Sequence, residues 1–231
     1  MVSFVDPQTV LDEARELADQ GRYEEALQRR VWFHQHALEH DCAWYGVRLS
    51  FALSDWVRLG EQYPPARQAL VDIRDRTAAK ARAGDWSREL FHDVAAINGF
   101  LGDEGETAGL FLDLHRADPT RAGRVYRDAE TGLVARGLYA VCAAHLPDAL
   151  GRLEELQVGR RDSLSHTVGF PADEARRYRD VVERRFAEKV GRLLEILAAV
   201  GRADEGEQVR ASALAETECA DAREAIMRAG R

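Results

Sequence analysis

Six side chains able to bind a transition metal fall within HQHALEHDC: His34, His36, Glu39, His40, Asp41 and Cys42. His36 and His40 are four residues apart, so on a helix they share a face at a spacing able to chelate zinc. No second His or Cys cluster offers the remaining ligands of a closed site. Asp41 and Cys42 fall where the helix should end, and histidine is favoured there by the helix dipole alone. His36 and His40 are therefore weak metal candidates, and the expectation is no bound metal or cofactor. Glu89 and His92 show the ExxH spacing of carboxylate-bridged di-metal bundles, but that chemistry needs a second ExxH, which the chain lacks. GxSxG, P-loop, GxGxxG and HExxH patterns are absent. Carboxylate pairs abound, and none is isolated enough to nominate as a general acid and base. These residues favour a non-catalytic protein. A metal-dependent enzyme or sensor built on His36/His40 or Glu89/His92 is the alternative.

Such side chains must be held by a core, and 231 residues are enough to build one. Apolar residues make up 45% and charged residues 31%, the balance of a folded globular chain. The formal charge of −8 argues against a general nucleic-acid partner, which requires a basic face. Lys80 and Lys189 are the only lysines; the other cations are arginines. Cys42, Cys142 and Cys219 are odd in number and widely spaced, which suits reduced thiols and a cytoplasmic protein. No apolar run approaches the ~20 residues of a membrane span, and MVSFVDPQTV lacks the n- and h-regions of a secretory signal.

Nearly all of the chain reads as helix. Alternating β-branched runs are missing, and the six prolines fall where helices can begin or end. A single signature recurs at Gly21, Gly60, Gly102, Gly137 and Gly201. Eleven residues before each stands Val10, Leu49, Phe91, Tyr126 or Val190, and four before stands Leu17, Trp56, Asn98, Leu133 or Leu197. Ala26, Ala66, Ala108 and Ala143 follow four of the glycines by five or six positions. A helix, a glycine-assisted turn and a second helix with a small residue at the crossing would produce this pattern. The expected hairpins are 7–20 with 23–40, 43–59 with 64–82, 86–101 with 104–117, and 121–135 with 138–156, the last interrupted at Pro147. The polar, glycine-containing stretch 158–171 is expected to be a loop and the domain boundary. A long helix over 172–200 and a final helical segment over 204–229 follow.

ARELADQGRYEEAL (14–27), LSDWVRLGEQYPPA (53–66) and VAAINGFLGDEGETAGLFLDLHRADP (94–119) resemble the tetratricopeptide-repeat family. The likeness covers about residues 7–145 and extends less fully over 186–219. Glycine intervals of 39, 42, 35 and 64 exceed the family's 34-residue period, and Asn98 stands where a large apolar residue is usual. The resemblance implies an all-α, right-handed α-solenoid of four or five helical hairpins over 1–157, followed by a C-terminal helical extension over 172–231. It also implies a concave groove, lined by first helices, that binds a protein or peptide; no catalytic residue carries over.

In such a stack the positions thirteen and ten residues before each turn glycine face the groove. Here they are Gln8 and Leu11, Val47 and Ser50, Glu89 and His92, and Arg124 and Arg127, with Arg15, Ser54, Ala96 and Thr131 one turn on. Arg124 and Arg127 are three apart and could grip one carboxylate, or could simply pair with Asp128, Glu130 or Glu89. The groove candidates are thus Ser50, Ser54, Glu89, His92, Arg124 and Arg127, and the expected partner is acidic or carboxylate-bearing. The arginine run of the long helix (Arg176, Arg177, Arg179, Arg184, Arg185) is either a solvated, ion-paired face or a dimer surface. A structural subunit dimerising through that helix is accordingly a further alternative.

Overall fold

A computed structural model describes residues 5–230. Among them there are only α-helices and connections, with no strand. The chain divides into two compact units between Gly132 and Leu133, whereas the sequence pattern places the boundary at 158–171.

The N-terminal unit contains α1 (Pro7–Asp19), α2 (Tyr23–His40), α3 (Trp44–Arg48), α4 (Phe51–Gln62), α5 (Pro64–Arg82), α6 (Arg88–Leu101), α7 (Glu104–Ala117), α8 (Pro119–Gly123) and most of α9 (Tyr126–Ala135). Each helix packs mainly on its neighbours in sequence: α1 on α2, α4 on α5, α5 on α6 and α6 on α7. The first members of successive hairpins also touch, α1 with α4 and α4 with α6. Local chemistry fixes the ends. Asp6 accepts the free N–H groups of Gln8 and Thr9, and Pro7 follows it; Asp118 accepts from Arg121, and Pro119 follows it. Ser87 caps α6 through Leu90 N–H.

The recurring signature positions are the core. Val10, Leu49, Phe91, Tyr126 and Val190 are all buried, and Ala26, Ala66 and Ala108 are sealed at the helix crossings. Phe91, Phe111 and Tyr126 meet edge to face at centroid distances of 6.4 and 6.1 Å, a geometry that adds ~1 kcal/mol per pair to their burial. Trp56 donates its indole N–H to the Ala66 carbonyl at 2.8 Å and so ties α4 to α5.

Four of the five recurring glycines, Gly21, Gly102, Gly137 and Gly201, have φ near +70° and end their helices in the left-handed region. Gly60 differs. It lies inside α4 and is buried, and a Cβ there would stand 3.0 Å from Arg67 Cβ on α5. It serves close approach instead of a turn. Asn98 has an equally specific reason. It is completely buried, donates to Thr107 on α7 at 2.9 Å and accepts from Arg74 on α5 at 2.8 Å. One amide joins three helices where a leucine would only fill space.

Two expected helices are divided. The helix expected over 43–59 breaks at Leu49–Ser50, where the Ser50 hydroxyl donates back to the Gly46 carbonyl at 2.6 Å, a local bond that competes with helix continuation. The helix expected over 121–135 breaks after Gly123, so Arg124 caps α8 while Arg127 lies in α9.

The C-terminal unit contains α10 (Tyr139–Ala144), α11 (Ala149–Ser165), α12 (Ala172–Ala199), α13 (Ala203–Glu216) and α14 (Ala220–Arg228). Helix α12 is its hub, with α10, α11, α13 and α14 all packed on it. Phe186, Ala187, Val190, Leu193, Leu194, Ile196 and Leu197 form its buried stripe. As the sequence anticipates, the helix is interrupted around Pro147. The loop expected over 158–171 is shorter: α11 runs on through Ser165 and only 166–171 are non-helical. Polar residues there are satisfied in helical form. Arg160 makes a bidentate pair with nearly buried Glu183 at 2.9 and 2.6 Å, and Arg161 pairs with Glu216 at 2.9 Å.

Candidate functional site

The first-helix layer of the N-terminal unit is stitched by three long-range charged contacts. Arg15 on α1 donates to Asp55 on α4 at 2.8 Å. Arg48 on α3 donates to Asp93 on α6 at 2.5 Å. His92 Nδ1 on α6 lies 3.3 Å from Asp128 on α9. Helices widely separated in sequence thereby present their polar side chains as one row.

The middle of the row is the densest. Arg48 is buried and donates a second N–H to His34 Nε2 at 3.1 Å, which leaves that imidazole as an acceptor and therefore neutral. Burial, reinforced by the Arg48 charge, lowers the His34 pKa to about 4. The Arg48 guanidinium lies 5.9 Å from the Tyr45 ring centroid, and the Tyr45 ring stacks on His92 at 5.9 Å. The hydrogen bond to Asp128 holds the His92 pKa above its ordinary value, against the effect of partial burial. Withdrawal from water raises the Tyr45 hydroxyl, helped by the Asp93 charge. Thus α2, α3, α6 and α9 converge on a half-buried Tyr45–His92 pair backed by fixed charges.

The expected groove residues are distributed as follows. His92 is in this cluster, with exposed Glu89 one turn earlier on α6. Ser50 precedes the first residue of α4, its hydroxyl given to Gly46, and is half-buried; Ser54 is exposed, and Phe51 between them is 71% exposed. Arg124 and Arg127 are exposed, and the break between α8 and α9 separates them, so they do not share one continuous helical face. Asp128, one of the carboxylates considered for these arginines, bonds His92. Leu11, expected in the groove, is core at 2% exposure. Tyr45, Arg48 and Asp93 carry no sequence signal as site residues. Asp93 adjoins His92 in the chain, but its partner lies 45 residues away.

The histidine-rich segment does not converge. His34 turns inward to Arg48, while His36 and His40 flank Trp32 at ring distances of 5.3 and 5.7 Å, and His36 Nδ1 lies 3.0 Å from Glu39. Among the described residues no three His, Cys, Asp or Glu side chains gather as metal ligands. No helix among them is long and apolar enough to cross a membrane.

No protein-family model, curated protein or solved structure matches the chain.

Proposed function

We propose that this protein is a non-catalytic binding module: a right-handed, tetratricopeptide-like stack of hairpins that holds an acidic peptide or protein segment on the first-helix face of its N-terminal unit. The observation that carries the reading is the charge balance of the polar row. Asp55, Asp93 and Asp128 are occupied by Arg15, Arg48 and His92. Exposed Arg88 at the start of α6 and Arg124 before α9 have no ion-pair partner among the described residues, and exposed Glu89 stands beside Arg88. Arg127 lies on the same segment as Asp128 and adds a further cation to this end of the row. Ser50 and Ser54 offer hydroxyls beside exposed Phe51, an apolar anchor at the other end.

An anionic segment would gain charge-assisted hydrogen bonds at Arg88 and Arg124, each roughly twice as strong as a neutral one. Repulsion from the overall charge of −8 is screened beyond about 8 Å at physiological salt. The test is an array of immobilised peptides of graded charge, probed with the full chain. Glu- and Asp-rich peptides should be retained. Arg88→Glu/Arg124→Glu should weaken retention at least ~10-fold, or ~1.4 kcal/mol, with the thermal melt unchanged. Equal retention of acidic and basic peptides, or of wild type and variant, overturns the reading.

A further inference from the structure

The first half of α12 extends past the start of α14. Residues 172–180 of α12 are exposed except for half-buried Ala175. Beyond them, α12 and α14 form a groove of about 530 Å³ lined by Asp180, Arg184, Ala187, Gly191, Asp221 and Ala222, among others. Its floor is small and apolar. Its α12 residues, Asp180, Arg184, Ala187, Glu188 and Gly191, lie on one helical face by their spacing of four, three, one and three residues. Continued toward the N-terminus at steps of three and four, that face carries Arg177 and then Asp173, so exposed charges along it alternate: Asp173, Arg177, Asp180, Arg184, Glu188. Among the described residues, Asp173, Asp180 and Arg184 take no ion-pair partner, and Arg177 donates only to the Asp173 backbone carbonyl, at 3.3 Å.

An alternating stripe of this kind is complementary to itself when reversed. We infer that the stripe and the groove form a two-fold interface with a second copy of this chain, the two α12 helices packing antiparallel. With the axis between Tyr178 and Arg179, Asp173 of each copy faces Arg184 of the other, and Arg177 faces Asp180. Four intermolecular ion pairs result, the reciprocal pattern an isologous interface demands. The same register sets Phe170 opposite Ala187 on the groove floor. Phe170 is 45% exposed and lies at the turn into α12, resting edge-on against Tyr178 at 6.0 Å. The bulky ring meets the small-residue floor and the charges meet their opposites in one register, from residues on a single helix and its entry turn.

The test uses charge exchange in the full chain, with mass measured by sedimentation at about 100 μM, where a dimer of micromolar Kd is nearly complete. Wild type should run as a dimer. Arg177→Asp sets aspartates against Asp180 of the second copy, and Asp180→Arg sets arginines against Arg177, so each alone should run as a monomer with an unaltered helical circular dichroism spectrum. The double variant Arg177→Asp/Asp180→Arg restores opposite charges at both contacts, as does an equimolar mixture of the two single variants, and both should be dimers. Two outcomes overturn the inference: a monomeric wild type, or single variants as dimeric as wild type.

Discussion

The imidazole Nδ1 of His92 on α6 lies 3.3 Å from a carboxylate oxygen of Asp128 on α9, across 36 residues of chain. This bond fixes the ring that stacks on Tyr45 and sets its titration. The protonated form is favoured, so the folded-state pKa stands above the ordinary value of ~6.5. The folded protein binds this proton more tightly than the unfolded chain. The resulting stabilisation is complete below the ordinary value and is lost as pH rises through the raised one. Titration of His92 by NMR should give a value above that of an exposed histidine, and Asp128→Asn should return it toward the ordinary value. A wild-type His92 titrating at or below the ordinary value would refute the pairing.

His34 should behave in the opposite sense. It is held neutral as an acceptor for Arg48, with its pKa lowered to about 4 chiefly by withdrawal from water. Between about 4 and the ordinary value of ~6.5 the unfolded chain binds a proton that the folded chain refuses, so stability falls as pH drops through that window. Chemical denaturation from pH 7 to pH 4 should show this loss, and His34→Gln should flatten it. The His34 and His92 effects together place maximal stability near neutral pH. An undiminished acid slope in His34→Gln would assign the loss to carboxylates instead.

Two buried arginines should respond differently to mutation. Arg48 is matched by Asp93 and His34 through its two terminal nitrogens, with only Nε unbonded, and Asp93→Ala leaves its charge buried and unmatched, which costs about 3 kcal/mol. Arg30 is 3% exposed, its nearest carboxylate oxygen, on Asp55, is 4.0 Å away, and its Nε and Nη1 groups find no hydrogen-bond acceptor among the described residues. Burial pulls its pKa down to about 10. Arg30→Met keeps most of the packing and removes the desolvated charge, so it should be neutral or stabilising by ~1 kcal/mol or more. Urea unfolding of both variants decides the matter. A loss in Arg30→Met as large as that in Asp93→Ala would show that Arg30 has the acceptors it is seen to lack.

The all-α class and the core could be read from the sequence because both depend on local periodicity. Val10, Leu49, Phe91, Tyr126 and Val190 recur at a fixed distance from a glycine, and all are buried. Four of those glycines end helices as their spacing implies. The polar row was largely hidden. His92 stood out through its spacing from Glu89, but Arg48–Asp93 and His92–Asp128 join residues 45 and 36 positions apart, and no local pattern encodes such a pairing. The helix breaks at Ser50 and Arg124 carry no signal for a related reason: a hydroxyl bonding back to Gly46 and a short helix closing after Gly123 outweigh an apolar pattern that continues through them.

Glycine positions separate turn chemistry from close packing, and this yields the last prediction. Gly132 on α9 sits against the backbone of α7, and a Cβ added there would be driven into the Glu104 carbonyl oxygen and would also crowd Ala108 at 3.3 Å. Backbone cannot swing aside as a long side chain can, so the helices must separate or α9 must shift. Gly132→Ala should therefore destabilise by about 2 kcal/mol or more despite alanine's better helix propensity. Gly99 on α6 is the control. It is helical and exposed, and an added Cβ would meet nothing within 4 Å. Gly99→Ala should stabilise by just under 1 kcal/mol through propensity alone. Opposite signs for the two substitutions in denaturant unfolding are expected. If both stabilised, the α7–α9 contact would be looser than the Gly132 geometry requires.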